Sequence, residues 1–320
     1  MINFFYPQRQ FLKIKKQVNL KLNKFFKKGD FILGEEVSLF EKNISRFLKI
    51  KNTVSCGNGT DALSIALRVI GVKRNDIVLV PSYSFISSAE SIVAIGAIPY
   101  FLDVCRDSFL IDENKLENEI QRIKKKKIYL IVVELFGAQP NYSKILKLKK
   151  KYNLKIVSDS AQSLGSLYKN KNIGHNVDIA TTSFFPTKVL GCYGDGGAIF
   201  SNNQKYLDKA KSLCSHGRGK EKYQTIDLGY NSRLDTIQAI FLNEKLKILK
   251  NEILKRKKIF KYYNKKINVN LKKTQYSKDV SSACGYYTLQ AKSLDQRNSL
   301  MKFLKSKKIL TTIYYPKPIH

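Results

Sequence analysis

Residues 181–200 read TTSFFPTKVLGCYGDGGAIF, and one lysine, Lys188, stands here between an apolar run and a glycine-rich segment. The β-rich runs DIATTSFF and GAIFS on either side predict two strands joined by a loop that contains this lysine. A lysine held in a desolvated pocket loses proton affinity, and its neutral amine can attack a carbonyl carbon. Lys188 is therefore a candidate nucleophile, although the stretch alone also fits a surface lysine in a loop.

Outward from this stretch, the chain alternates short apolar runs with helical patterns. From residue 53, strand-like runs such as DIVLVP, IPYFLDV, IYLIVVELFG and KIVSDSAQ alternate with helical stretches such as DALSIALRVI and YSKILKLKKKYN. Such alternation predicts an α/β fold with a mostly parallel central sheet and helices on both faces. In these sheets ligands collect at the carboxyl ends of the strands.

Two further stretches could bind a ligand at that edge. SCGNGTDAL (55–63) runs from a strand into a helix, and Gly57, Gly59 and Thr60 stand where free N–H groups and the helix dipole suit a phosphate. KIVSDSAQ (155–162) ends a strand with Asp159, whose carboxylate could pair with a cationic ring nitrogen. Each also has a plain structural reading, as a glycine turn with an Asp cap and as a helix cap.

The three stretches together indicate pyridoxal phosphate as the cofactor. Lys188 would hold the aldehyde, Asp159 would keep the pyridine nitrogen protonated, and the helix start at Gly59 would bind the phosphate. This explains a lysine set apart from its charged neighbours, because the amine must be uncharged to act as a nucleophile.

The composition excludes several other classes of protein. The formal net charge is +33, but the lysines are spread along helix-like stretches, which is typical of solvated helix faces rather than of a nucleic-acid motif. No apolar run has the length of a membrane span, and no signal peptide pattern opens the chain. The five cysteines form no CxxC pair, so neither a metal site nor a disulfide framework is expected, and a reducing cytoplasm fits best.

The pattern changes near residue 240, where a long, highly charged helical stretch begins. We predict a large cofactor-binding domain over 1–245 and a small α+β domain over 246–320. Within the second, CGYYTLQAKSL is predicted to form a strand, DQRNSLMKFLKSKK a helix and TTIYYP another strand.

The chain resembles the DegT/DnrJ/EryC1/StrS family of pyridoxal-phosphate-dependent sugar aminotransferases, which have the aspartate aminotransferase-like type I fold. The resemblance covers nearly the whole chain and rests on motifs that occur in order: FILGEEVSLFEKNISRFL, NGTDAL, VPSYSFISSAESI, SDSAQSLGS, SFFPTKVLGCYGDGGAI, SHG, GYNSRLDTIQAI and YYPKPIH. It implies a homodimer with shared active sites.

The resemblance also implies roles for individual residues. Lys188 matches the Schiff-base lysine, and Asp159 matches the partner of the pyridine nitrogen. The remaining cofactor residues are Gln162 beside the phenolic oxygen, Phe85 stacked on the ring, Gly59, Thr60 and Ser183 at the phosphate, and Asn231, which reaches the phosphate of the neighbouring subunit. His216 and His320 are the candidates for substrate binding.

The implied reaction is amino transfer from glutamate to a nucleotide-linked keto sugar, in the synthesis of surface polysaccharide or glycan precursors. The stretches around Lys188 and VELFG are most similar to enzymes that aminate UDP-3-keto-N-acetylglucosaminuronate. A dTDP-3-keto-deoxysugar or a 4-keto sugar nucleotide is the alternative substrate, and a sugar dehydratase, which has histidine in place of the lysine, or a non-catalytic cofactor-binding paralogue is the alternative function.

The chain departs from the family pattern at three places. Family members usually continue beyond the YYPKPIH segment, so the resemblance implies a small domain that is truncated at His320. Glu134 and Cys284 each stand where many relatives have histidine, and no catalytic role is assigned to either.

Overall fold

The computed structural model of this chain describes residues 1–123, 127–221, 223–267 and 271–320. In chain order, the strands β1 to β12 of this part are Asn52–Cys56, Ile77–Pro81, Ile98–Leu102, Tyr129–Val133, Lys155–Asp159, Leu167–Tyr168, Lys171–Asn172, Ile179–Ser183, Gly197–Ser201, Lys272–Lys273, Val280–Ser281 and Leu289–Gln290. The helices α1 to α9 are Pro7–Lys28, Glu35–Leu48, Gly59–Val69, Ser87–Ala94, Glu113–Ile123, Tyr142–Tyr152, Gln204–Cys214, Thr236–Lys266 and Leu294–Ser306.

A seven-stranded sheet in the order β1-β9-β8-β5-β4-β2-β3 forms the centre of the molecule. The neighbours β2 and β3, β2 and β4, β4 and β5, and β5 and β8 are parallel, whereas β9 pairs antiparallel with both β8 and β1. All five residues of β4, YLIVV, are buried, as expected for a strand covered by helices on both faces. The predicted α/β class with a mostly parallel sheet is confirmed.

Helix α3 follows β1 and is the helix most deeply buried against the sheet. Asn58 caps it, because its side-chain oxygen accepts a hydrogen bond from the Asp61 N–H at 2.8 Å. Leu63, Ile65 and Leu67 lie in the main apolar cluster with residues of several strands. The amino end of α3 is thereby fixed at the edge of the sheet where β5 and β8 end.

Helix α8 is the longest helix described and spans 31 residues. It packs against α1 and α2 and passes through residue 245, where the sequence predicts a domain boundary. After it, β11 pairs antiparallel with β6, so this part of the chain returns to the part before residue 245. The division into 1–245 and 246–320 stays a prediction.

Of two predictions for the residues after 280, one is confirmed and one is wrong. The predicted helix forms as α9, but the predicted strand TTIYYP is wrong, since none of its residues lies in a strand. The segment instead crosses the end of β2, where the Tyr83 hydroxyl donates to the Tyr315 carbonyl at 3.0 Å and the Ile319 N–H to the Ser82 carbonyl at 2.9 Å. Tyr314 and Tyr315 pack against the main apolar cluster and extend no sheet. Among the described helices, none is apolar over a length that would cross a bilayer.

The central sheet generates a stability prediction. Ile131 in β4 is fully buried, and Ile131→Ala is expected to lower the free energy of unfolding by about 2–5 kcal/mol, because the cavity that it leaves closes only in part. Ile259→Ala on α8 is the matched control, since this side chain is 51% exposed and its loss should change the free energy by less than about 0.5 kcal/mol. Urea unfolding followed by circular dichroism measures both, and equal shifts of the two midpoints would contradict the assignment of β4 to the core.

Candidate active site

A cavity of about 650 Å³ opens where β4, β5 and β8 end and α3 begins. Seven of the residues predicted to bind a cofactor line it: Gly59, Thr60, Phe85, Asp159, Gln162, Ser183 and Lys188. These residues come from four stretches of the chain, at 59–60, 85, 159–162 and 183–188, and the parallel sheet brings them together because it aligns the carboxyl ends of neighbouring strands.

One end of the cavity suits a phosphate. Gly59 begins α3 so close to Ser183 that a Cβ atom on it would lie 2.8 Å from the Ser183 Cβ atom, which only a glycine avoids. The Thr60 hydroxyl lies 2.7 Å from that of Ser87, at the same end. Hydroxyl groups around the positive end of a helix form a site for an anion, and the absence of a side chain at Gly59 would let such an anion approach the backbone.

Asp159 lies at the end of β5 with its carboxylate turned into the protein. Its Oδ2 atom accepts a hydrogen bond from the Ser88 hydroxyl at 2.9 Å, and its Oδ1 atom accepts one from the Ala161 N–H at 3.2 Å. Burial raises the pKa of Asp159, while the two hydrogen bonds and the charge of Lys188 oppose this increase. A cation placed in the cavity would stabilise the carboxylate further, which fits the protonated ring nitrogen of pyridoxal phosphate.

Lys188 reaches the same cavity from the loop between β8 and β9. Burial lowers the pKa of its amine, and the nearby carboxylate of Asp159 raises it in part. Desolvation therefore favours the neutral amine, and the opposite charge keeps the group within reach of protonation. An amine in this condition can act both as a nucleophile and as a proton carrier.

Gln162 and Phe85 also line the cavity. The Gln162 side chain is held on both sides, since its oxygen accepts from the Phe136 N–H at 2.8 Å and its amide nitrogen donates to the Tyr315 hydroxyl at 3.0 Å. The Phe85 ring is 53% exposed, and its centroid lies 6.1 Å from that of Tyr315. An exposed aromatic ring at the mouth of a cavity fits the stacking role predicted for Phe85.

Tyr286, Tyr314 and Tyr315 also line the cavity, although the sequence assigned them no role. Burial raises the pKa of Tyr286 to about 12 and also raises the pKa of Tyr315, so both hydroxyls stay protonated and able to donate. The family motif YYPKPIH contains Tyr314 and Tyr315, but the only structural prediction for these two residues is the strand TTIYYP.

Glu134 lines the cavity as well and is 1% exposed. Its carboxylate accepts hydrogen bonds from the Tyr142 hydroxyl at 2.6 Å, the Ser158 hydroxyl at 3.2 Å, the Gln139 amide at 3.2 Å and the Ser163 hydroxyl. Burial raises the pKa of Glu134, and these donors oppose the increase. The side chain thus ties the end of β4 to the end of β5 and to the turn that follows β5.

Three predicted residues lie outside the cavity lining. His216 and Asn231 belong to neighbouring backbone segments, joined by a bridge between Ser215 and Asn231, and the Asn231 side chain is exposed and bonded to Arg233. The His320 ring packs 5.6 Å from that of Phe101. Their predicted contacts with a phosphate or a substrate remain predictions.

Comparison with known proteins extends these findings. A family model for the DegT/DnrJ/EryC1/StrS aminotransferase family matches residues 12–320, a range that contains every residue lining the cavity. The UDP-2-acetamido-2-deoxy-3-oxo-D-glucuronate aminotransferase of Pseudomonas aeruginosa is 34% identical over 321 residues, covering 100% of this chain and 88% of the relative.

Solved structures show the same likeness. A DegT DnrJ EryC1 StrS aminotransferase from Brucella abortus has a TM-score of 0.95 at 36% identity, covering 100% of this chain and 86% of that one. A Bacillus subtilis protein with bound cofactor PMP has a TM-score of 0.86 at 27% identity, covering 96% of this chain and 70% of that one.

The environment of Lys188 generates a prediction for the protein without cofactor. Because burial lowers the pKa of this amine, reductive methylation with formaldehyde and cyanoborohydride should label Lys188 at a lower pH than the exposed Lys220, as read by peptide mass spectrometry. Asp159→Asn removes the charge that raises the pKa of Lys188, so it should shift the labelling curve of Lys188 to still lower pH. An unchanged curve in this variant would show that the two groups are not coupled.

Proposed function

Because the chain belongs to the DegT/DnrJ/EryC1/StrS aminotransferase family, we propose that it transfers the amino group of glutamate to the keto group of a nucleotide-linked sugar, with pyridoxal phosphate as cofactor. The observation that supports this most directly is that the Lys188 amine and the Asp159 carboxylate line one cavity with the anion site formed by Gly59, Thr60 and Ser183. The product would be an amino sugar for surface polysaccharide or glycan precursors.

Each side chain has a distinct part in this proposal. Pyridoxal phosphate, when bound, supplies an aldehyde for the amino group and a ring that withdraws electrons from the carbon atom beside the nitrogen. Thr60 and Ser183 would hold its phosphate, and Asp159 its ring nitrogen. The Lys188 amine would take the proton from the carbon that bears the amino group of the donor and would return a proton to the carbon that receives nitrogen in the acceptor.

The sugar that we propose is UDP-3-keto-N-acetylglucosaminuronate. Support comes from the 34% identical relative in Pseudomonas aeruginosa, whose name specifies a UDP-linked 3-oxo-glucuronate. A dTDP-3-keto-deoxysugar and a 4-keto sugar nucleotide are the alternative substrates. Lys188 argues against the dehydratase alternative, in which a histidine stands in its place.

We also propose a cytoplasmic homodimer in which Asn231 serves the active site of the partner. Asn231 is exposed and lies outside the cavity of its own chain, and the preceding segment carries the exposed apolar side chains Ile226 and Leu228. A contact between two copies would cover such side chains. The five cysteines are free thiols, which is consistent with a reducing compartment.

Transfer of isotope tests the proposed reaction. With pyridoxal phosphate, ¹⁵N-glutamate and the UDP-3-keto sugar, the purified protein should form a ¹⁵N-labelled amino sugar detectable by mass spectrometry. Lys188→Ala should reduce the rate by a factor of at least about 10² to 10⁴, because it removes the amine that we propose moves the proton. Parallel reactions with the dTDP-linked and 4-keto sugars identify the substrate, and a protein that binds cofactor but labels none of the three would contradict the proposed reaction.

Mixing of inactive variants tests the shared site. Lys188→Ala and Asn231→Ala should each be inactive or impaired alone, but a refolded equal mixture should recover roughly a quarter of the wild-type activity, because half of the dimers are mixed and each mixed dimer has one intact site. If Asn231 instead acts within its own chain, the mixture should be no more active than the average of the two variants. Gel filtration of the mixture checks that dimers are present.

A further inference from the structure

The loop that carries Lys188 is closed on itself. The Lys188 N–H donates to the Phe185 carbonyl at 2.9 Å, and the Cys192 N–H donates to the Phe184 carbonyl at 2.8 Å, so residues 184–192 form a small ring of backbone. Gly191 is pressed against the start of this loop, since a Cβ atom on it would lie 2.4 Å from the Pro186 carbonyl oxygen. A shift of Gly191 would therefore shift the backbone on both sides of Lys188.

Lys245 fixes this part of the loop from outside. It lies on α8, is 1% exposed, and donates from Nζ to the Gly191 carbonyl at 2.6 Å. The same ammonium lies 3.6 Å from the centroid of the Tyr193 ring. About two helical turns earlier, the Gln238 oxygen accepts from the Tyr193 N–H at 2.9 Å, so α8 holds the loop by the same face.

The ammonium of Lys245 has an unusual surrounding for a buried charge. In the described parts of the chain no carboxylate forms an ion pair with it, because its neighbour Glu244 pairs instead with Lys21 of α1 and with Lys247. The Gly191 carbonyl and the Tyr193 ring are thus the groups that compensate for its lost hydration. A charge-assisted hydrogen bond of this kind is short and strong. The cation–π contact with an aromatic ring stabilises a desolvated ammonium further.

We propose that Lys245 is a positioning residue of the reaction: by holding the Gly191–Tyr193 segment against α8, its ammonium keeps Lys188 in reach of the cofactor and substrate atoms. Asp195, which lines the cavity, lies just beyond the same segment and would be held with it. This inference rests on the proposed role of Lys188, whereas its effect on the loop does not depend on the identity of the sugar.

The proposal implies a change at alkaline pH. Burial lowers the pKa of Lys245 to about 8, and the neighbouring Cys192 thiol, whose own pKa is raised to about 11, opposes this only in part. Three other titratable groups lie near this point in the described chain. They are the Tyr193 hydroxyl of the loop, whose pKa burial raises, the Asp195 carboxylate, which raises the pKa of Cys192, and Glu244, which Lys21 and Lys247 neutralise. As the pH rises through about 8, the ammonium is therefore lost first, and with it the strong bond to Gly191.

The test compares Lys245→Met and Lys245→Arg with Lys250→Met, which replaces an exposed lysine of the same helix. The first readout is reductive methylation of Lys188 in the protein without cofactor. Lys245→Met should reduce the rate of labelling about tenfold, whereas Lys250→Met should leave it unchanged. Lys245→Arg keeps a charge that does not titrate in this range and should restore most of the rate.

The second readout is the dependence on pH, which a purely structural role would not produce. The ratio of Lys188 labelling in the wild type to that in Lys245→Arg should be constant below pH 8 and should fall severalfold above it. In the active holoenzyme, Lys245→Met should lower kcat about 10²-fold with little change in KM, as expected for a misplaced reacting group.

Two results would overturn the proposal. One is a folded Lys245→Met protein with an unchanged Lys188 labelling rate; the other is a ratio between wild type and Lys245→Arg that stays constant through pH 8. The Lys245→Arg comparison decides the matter if the methionine variant does not fold. Labelling needs neither cofactor nor sugar. The labelling result can therefore be interpreted even if the proposed amino transfer is wrong.

Discussion

The active site depends on the removal of one amine and one carboxylate from water. Burial lowers the pKa of Lys188 and raises that of Asp159, and each charge partly offsets the effect on the other. Neither group could be prepared in this way on the surface, where solvent would screen the charges and restore ordinary proton affinities. The protein alone therefore sets the protonation of both groups: Lys188 is a nucleophilic amine, and Asp159 is a carboxylate that can stabilise a cation.

The fold supplies this environment through the ends of its strands. Asp159 ends β5, Ser183 ends β8, and α3 begins beside them. Two buried strands and one buried helix therefore place polar groups at the carboxyl ends of the strands. The bodies of these elements are apolar and fixed by the core, while the polar groups occupy the short segments that leave the sheet. A parallel sheet can thus vary the chemistry of the site without altering its own packing.

The sequence predicted the part of the site that local patterns encode. Asp159 and Gly59 each stand at a junction of strand and helix, and Lys188 stands between an apolar run and glycines, so the local patterns of the three stretches together indicated a site. The tyrosines at 314 and 315 were misjudged because β-formers in TTIYYP suggested a strand, whereas tertiary contacts with Tyr83 and Ser82 decide its path. The predicted role of Asn231 involves a second chain, which no pattern within one chain can locate.

The burial of Lys245 could not be predicted from local sequence patterns. In the sequence it is one of many lysines on a long charged helix, and the general rule for such residues is exposure. Its burial follows from what faces it, namely the Gly191 carbonyl and the Tyr193 ring, which lie more than fifty residues earlier. Lys188 and Lys245 are thus two lysines with lowered pKa on opposite sides of one loop. Lys188 can react because its amine lies at a cavity. Lys245 cannot, because its amine is hydrogen-bonded to the Gly191 carbonyl. Desolvation therefore gives a nucleophile at Lys188 and a structural contact at Lys245.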